Sequence, residues 1–525
     1  MKGALKKVLV SSLACLLCVS TVACNRSGQR SEPGENGYLH ISAVQLGYGT
    51  DWLYALEEAF EEKAKINVDI STVVGATGQG TLDTEIESLA SDTDLFFNKR
   101  GWFAEDVYKG SISVRGQAYD CLYADLTDVW GSVVDEGSEL TIEDKMDPLY
   151  AEAFNIEGKY YALPWTGGVY GIVRNLDVWD DLGLTDEDVP YTTNELFALC
   201  DEIKEEVAPF IYSLEDEYYT GWSTIFFGQY EGVNNVKQFM EGRDPDGEIS
   251  QYVYTYDGQL EAMKVLKTLL DPDNGYQHER STSIDFTSMQ GQFLRGQALF
   301  CVNGSWLENE MKANFSSARV DVIKTPVISS LVNKLSFGST LGADAAEEKL
   351  IECIQYVDAV DAGESPAMPS GVTEGDIQKV TEARHYSYMA GGIDHQAYVP
   401  SYSSHIREAK EFLKFMYSDE GMQIYYETLQ GATLPATPTQ DYDSTGMTFS
   451  EFRTSVNAAA EEGFLYDREP KSRYYVLASV STCFENGVQP VVALRGSSTP
   501  QDIITTNNAE VAKKWPSIQE LLGLV

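Results

Sequence analysis

The sequence predicts an α/β chain folded as two lobes with the backbone passing between them, and two observations carry the prediction. Near the start, strand and helix patterns alternate. Leu39 to Val44 reads as a strand, Asp51 opens a helix with Leu53, Leu56 and Phe60 at helical spacing, and Ile66 to Val74 reads as a second strand. Strand, helix, strand is the beginning of a unit with parallel strands. The second observation is Gly158 to Asn175. Gly158-Lys159 reads as a turn, Tyr160 to Leu163 as a short β-favouring run that Pro164 ends or places at a sheet edge, Gly167-Gly168 as a flexible pair, and Val169 to Val173 as a further strand. One strand ends, the chain passes an exposed aromatic, and another begins, which is the pattern of a crossing between lobes. Alone, the stretch equally fits an ordinary strand, loop and strand with Trp165 in a core. The loops Gly391 to Pro400 and Gly431 to Pro438 are two further crossing candidates, and together the three favour the crossing.

The 525 residues exceed one typical domain, and 43% hydrophobic residues suffice for two cores. With 38 basic against 81 acidic residues the formal net charge is -43, which repels polyanions and argues against nucleic acid as a partner. Lys2, Lys6 and Lys7 precede an apolar run, Val8 to Val22, too short for a comfortable membrane span and closed by Ala23-Cys24. This resembles a bacterial lipoprotein signal peptide with Thr21-Val22-Ala23-Cys24 as its lipobox, Thr21 standing where Leu is usual. The expectation is cleavage after residue 23, a lipid on Cys24, and a polar tether over 24–37 rich in Gly, Ser, Arg and Glu. The chain is then held at the extracytoplasmic face of the membrane by the anchor alone. Cys121, Cys200, Cys301, Cys353 and Cys483, an odd and scattered set among apolar neighbours, read as buried free thiols.

Further along, helices are expected over Leu82 to Ala90, Asn175 to Leu182, Asn194 to Val207, Leu260 to Leu270, Met289 to Gly296 and Ile406 to Leu429, with strands at Asp94 to Asn98 and Ala298 to Asn303. Ligands of open α/β sheets bind beyond the carboxyl ends of the strands, which selects Gln45 to Thr50 and Asn98 to Trp102. Trp222, in an aromatic-rich stretch, reads as packing. The section 327–389, with short helices at Glu347 to Val360 and Glu374 to Ala383 between Gly and Pro, reads as an insertion.

Sites for chemistry are few. Gly75 to Thr81 has the glycine spacing of a phosphate loop but Thr81 where Lys is required, and reads as a flexible loop. There is no Gly-x-Ser-x-Gly, and His278-Glu279 lacks the second His of a zinc-protease helix. Asp271 to Gly275 lacks the closing Glu of a calcium loop and reads as a helix-ending turn. No cofactor or metal ligand set emerges.

Five stretches stand in order along the chain: Phe60-Glu61-Glu62, Asp94 to Phe97, Gly158 to Pro164 with Arg174-Asn175, Phe293 to Phe300 through Gly304-Ser305-Trp306, and Ala409 to Met416 with Asp419-Glu420-Gly421. Together they resemble the extracellular solute-binding proteins, family 1, of carbohydrate ABC importers, the maltodextrin-binding type. The resemblance implies a type II periplasmic-binding-protein-like fold with three crossing segments and a ligand cleft between lobes. It implies lobes at 38–164 with 395–435 and at 165–394 with 436–525, the second holding the 327–389 insertion. It implies a monomeric, non-enzymatic lipoprotein that captures a sugar or oligosaccharide for an ABC permease. Position by position, the ligand residues implied are Tyr48, Thr50, Asn98, Arg100, Trp165, Thr166, Tyr170, Trp306, Asp394 and His395, with Trp306 the stacking plane. A sugar ring wants an aromatic plane under its apolar face and planar polar groups around its hydroxyls. Asn98 stands where the maltodextrin binder has an aromatic and Gly168 where it has an acid, so the resemblance does not single out maltodextrin as the ligand. The rivals are a secreted glycosidase, whose carboxylate pair nothing in the sequence marks, and a polysaccharide-binding surface adhesin.

Overall fold

A computed structural model describes residues 34–101, 103–213, 218–312, 318–463, 465–466, 472–478, 480 and 490–525. The signal segment, Cys24, most of the tether, Trp102 and Cys483 lie outside the described residues. The strands in chain order are β1 (Gly37–Gln45), β2 (Ile66–Val74), β3 (Leu95–Lys99), the hairpin β4 (Ile112–Val114) and β5 (Gln117–Tyr119), the hairpin β6 (Asn155–Ile156) and β7 (Lys159–Tyr160), and β8 (Leu163–Pro164). After them come β9 (Val169–Asn175), β10 (Ala208–Ile211), β11 (Ala298–Gly304), β12 (Val320–Ile323), β13 (Tyr388–Ala390), β14 (His395–Tyr398) and β15 (Leu465–Tyr466).

Two sheets form. The first runs β2-β1-β3-β14-β8, with β1 parallel to β2 and β3, and β14 antiparallel to both its neighbours. The second runs β10-β11-β9-β13-β15, with β12 also paired to β9. Every residue of β9 and β11 is buried, because the second sheet is covered on both faces. Tyr170 and Ile172 point into one apolar cluster, which the helices Tyr218–Glu231 and Asp257–Leu270 help build, and Val169 and Val173 into another with Phe452, Val456 and Ala459. The first sheet has its own core, where Leu39, Ile41, Leu53, Leu56, Phe60 and Phe97 meet Phe412 and Tyr425.

The backbone passes between the sheets three times, as expected. Residues 165–168 join β8 to β9, and 391–394 return from β13 to β14. The third lies later than the Gly431 to Pro438 expected for it: Ala436 and Tyr442 still pack on the first core and Asp443 N–H donates to Gln423 at 3.0 Å, so the chain leaves the first lobe after Asp443 and enters the second at helix Glu451–Glu462, whose Phe452 and Val456 are in that lobe. The first two passages touch each other, and the first also meets Pro435 of the first lobe. Gly391 N–H donates to Gly168 O at 2.8 Å, and a Cβ on Gly167 would lie 3.2 Å from Pro435. Side chains there would hold the strands apart, which explains why glycines occupy the junction.

Three expectations are corrected. Gly75 to Thr81 is not a loop but the first half of helix Gly75–Glu87. Gly78 is buried there, and a Cβ on it would lie 2.9 Å from the Val73 backbone, so this glycine serves the close turn from β2 into the helix. Ile406 to Leu429 divides into Ile406–Met416 and Asp419–Thr428, because the Ser418 hydroxyl accepts from Gly421 N–H and caps a new start. Trp165 is not exposed: it stacks on Trp52 at 5.6 Å inside the first core, 1% accessible. Trp222 is buried, as read. Helices Ala343–Asp361 and Glu374–His385 fill the 327–389 section and pack Leu350, Ile354, Val357 and Val380 onto the second lobe's core.

Candidate ligand-binding site

The loop after β1 and the end of β11 face each other across the two lobes. β1 ends at Gln45, and the Leu46 to Gly49 turn directs Tyr48 towards the first passage. Its hydroxyl donates to Gly167 O at 3.2 Å and lies 2.7 Å from Ser305 Oγ, so one side chain of the first lobe binds both the crossing and the second lobe. Burial pushes the Tyr48 phenol up from its usual value, so it stays a neutral donor. Gly168 has φ +148°, and a Cβ on it would fall on Ser305 Oγ and 3.0 Å from Tyr48 Oη. Only glycine leaves room for this contact.

Trp306 follows at once. Its ring stacks with Tyr170 at 6.0 Å and 14°, and it packs against both cores. A Cβ on Gly47 would lie 2.9 Å from Trp306 Cβ, and one on Gly391 3.3 Å from its ring. Trp306 therefore sits where the first-lobe loop, the second-lobe sheet and the second passage converge.

Beside this junction is a cavity of about 420 Å³. Tyr48, Gly167, Gly168 and Ser305 form one wall, and Tyr426, Tyr442, Pro435, Arg453 and Asn457 contribute others. Tyr426 and Tyr442 are stacked at 4.3 Å. Arg453 comes from helix Glu451–Glu462 and is 2% accessible. Its Nη2 lies 3.3 Å from Glu308 Oε2, yet neither Nε nor Nη2 makes a hydrogen bond. A buried guanidinium with two donors that make no hydrogen bond among the described residues, beside a cavity lined by both aromatic and polar side chains, is suited to oxygen acceptors of a ligand.

Of the residues selected from sequence, Tyr48, Thr166, Tyr170 and Trp306 converge on this junction. Thr166, 1% accessible, donates from its hydroxyl to Gly167 O at 3.1 Å and also reaches the Tyr48 phenol. The others are engaged elsewhere. Thr50 precedes helix Asp51–Ala64, its carbonyl accepting from Leu53 N–H at 3.0 Å. Asn98 is fully buried and donates to Asp83 Oδ1 at 3.0 Å. Arg100 is buried among Asp83, Glu87 and Asp106, donating to Asp106 at 2.6 Å and to the Tyr123 hydroxyl at 2.7 Å. It locks the first lobe internally. Trp165 donates from Nε1 to Asn98 O at 3.1 Å, and His395 meets its ring edge at 4.7 Å. Asp394 pairs with Lys99 at 3.2 Å and with His395 Nδ1 at 2.7 Å.

Sequence reasoning missed Arg453, Tyr426 and Tyr442. Ser450 before a helix with Phe452, Val456 and Ala459 on one face marked the element, but an Arg on such a helix ordinarily reads as solvent-facing.

Residues 44–423 match the family model described as bacterial extracellular solute-binding protein. The chain belongs to that family. A multiple sugar-binding protein of Streptococcus mutans serotype c is 22% identical over 285 residues, 53% of this chain and 52% of that protein, so the chain spans about half the length of this curated relative. Among solved structures, RafE of Streptococcus pneumoniae in its apo form is 16% identical, covering 93% of this solute-binding protein and all of its own chain at a TM-score of 0.54. Lmo0181 of Listeria monocytogenes in complex with cycloalternan gives 14%, 91% and 99% with a TM-score of 0.58. Maltose-bound MalE3 of T. maritima gives 14%, 91% and 99% with 0.57. At these identities the likeness is one of fold: two lobes of the type II kind. Among the described residues no helix is long and apolar enough to cross a membrane.

Proposed function

We propose that this solute-binding protein captures a sugar or oligosaccharide between its lobes and delivers it, unaltered, to the permease of an ABC importer. The observation that carries the reading is the cavity in which Tyr48 and Pro435 meet Ser305 and Arg453 beside the stacked Tyr426 and Tyr442. Aromatic faces and fixed polar groups on opposed bodies are what a sugar's apolar face and hydroxyl edge require. Because the groups come from both lobes, a ligand touching all of them favours the closed arrangement, and a permease can read that arrangement. We assign the stacking plane to Trp306, which lies beside the cavity against Tyr170 and not in its lining, and the hydroxyl oxygens to Arg453. The protein acts as a monomer, held at the extracytoplasmic face by lipid on Cys24; Cys24→Ser is expected to release it from the membrane.

The test incubates the purified protein with raffinose, maltotriose and xylotriose, followed by native mass spectrometry and reducing-end assay. The expected result is a mass increase equal to one intact sugar and no new reducing ends. Release of reducing ends assigns the protein to glycosidases. Affinity that rises with polymer length, with no short sugar retained, assigns it to surface adhesins.

A further inference from the structure

Besides the three passages, a fourth connection joins the lobes. Helix Arg473–Val476 is rooted in the second lobe by two tyrosines: Tyr474 is 1% accessible and donates its hydroxyl to Ser250 O at 2.9 Å, and Tyr475 is 2% accessible with its ring 5.6 Å from Phe239. Gly242 leaves space for Tyr474, since a Cβ there would strike its ring. The residues on either side of this pair face the first lobe. Arg473 Nε and Nη2 donate to the Glu157 carboxylate at 3.1 and 3.3 Å, and its guanidinium lies 4.8 Å from the centre of the Tyr108 ring. Val476 lines a small first-lobe pocket with Phe103, Ala104, Phe154 and Ile393. Nearby, Lys237 of the second lobe reaches Glu152 of the first at 3.6 Å.

Glu157 adds a second, independent observation. It is the first turn residue of the β6–β7 hairpin, at φ +53°, followed by Gly158 at φ +86°. Two-residue turns with both φ positive favour Asn, Asp or Gly at that place, and a Glu there is locally unfavourable. Its carboxylate answers a cation of the other lobe.

We propose that residues 472–476 are an interlobe strap, in which Arg473 clasps Glu157 and Tyr108 and so biases the protein towards the lobe arrangement seen here. The strap sets how readily the lobes separate, and through that the affinity of whatever ligand the cavity takes. It requires the two-lobed architecture and not the sugar reading. An exposed bidentate ion pair with an exposed cation–π contact changes a two-state ratio by roughly three- to twentyfold. Because both contacts are at the surface, the bias weakens as salt rises.

The experiment places spin labels at Glu62→Cys in the first lobe and Glu205→Cys in the second, in a Cys24→Ser, Cys483→Ser background, and measures their distance distribution without ligand. Arg473→Ala and Glu157→Gln are each expected to broaden the distribution away from the parent distance. The exchanged pair, Arg473→Glu with Glu157→Arg, restores it in part. Arg319→Ala is the control, since its pairs with Asp177, Asp180 and Glu451 lie within the second lobe. An unchanged distribution in Arg473→Ala and Glu157→Gln overturns the strap, as does a change no larger than that of the control. Glu157→Gln leaves Tyr474 and Tyr475 in place, so misfolding of the C-terminal segment cannot imitate its result.

Discussion

Replacing Gly168 by alanine tests whether the two lobes meet as described. The position has φ +148°, a region that L residues adopt at a cost of about 1–3 kcal/mol. The new methyl group also falls on Ser305 Oγ and 3.0 Å from Tyr48 Oη, so the Tyr48–Ser305 hydrogen bond must open. Losing a buried hydrogen bond costs roughly 0.5–1.5 kcal/mol net. Together these give a destabilisation of about 2–4 kcal/mol. Gly49→Ala is the matched control: it has φ +67° with nothing within 4 Å of the added atom, so it bears backbone strain of roughly 1–2 kcal/mol alone. Equilibrium unfolding in urea, followed by tryptophan fluorescence, compares the two. If Gly168→Ala costs no more than Gly49→Ala, the methyl group meets no obstacle, and the contact between Tyr48 and Ser305 is not part of the solution structure.

Three further outcomes are expected. Trp306→Ala weakens sugar binding roughly tenfold or more, since a stacked aromatic contributes on the order of 1 kcal/mol beyond its area; unchanged affinity by calorimetry removes it from the site. Arg100→Met strands Asp106 and Asp83 without their buried cation and lowers first-lobe stability by about 3–5 kcal/mol, and a loss below about 1 kcal/mol in denaturant melts contradicts the buried cluster. Burial raises the Asp376 carboxyl, but hydrogen bonds from Ser336 and Thr373 prevail and hold it down to about 2. A depressed carboxylate stabilises the fold above its unfolded value of about 3.9, and that stability is lost as pH falls towards 2. Asp376→Asn therefore flattens the pH dependence of stability between about pH 4 and 2, and parallel pH profiles for parent and variant would refute this.

The sheets and passages were legible in the sequence because local chemistry and tertiary role agree there. The run Ile66 to Val74 is a strand both by composition and by pairing, and the glycines at 167, 168 and 391 mark the places where backbones touch. What stayed hidden depends on partners far away along the chain. Arg100 near the end of a strand looks available to a ligand until Asp83, Glu87 and Asp106 fold around it. Trp165 looks exposed after a proline until Trp52 covers its face. Arg453 is unremarkable on its helix and becomes notable only when the first-lobe segment 432–442 and Tyr48 wall off the space before it. The glycines of 75–81 mislead for another reason: the same residue serves loop freedom and close helix packing, and spacing cannot separate the two.

The junction of the passages has a consequence for measurement. Gly391 N–H bonds to Gly168 O, so the first two passages are tied main chain to main chain. A tie of this kind favours rotation of the lobes about it over sliding of one past the other. Probes set far from the tie, one on each sheet, then report the opening of the lobes, and ligands that shift it can be compared on that distance.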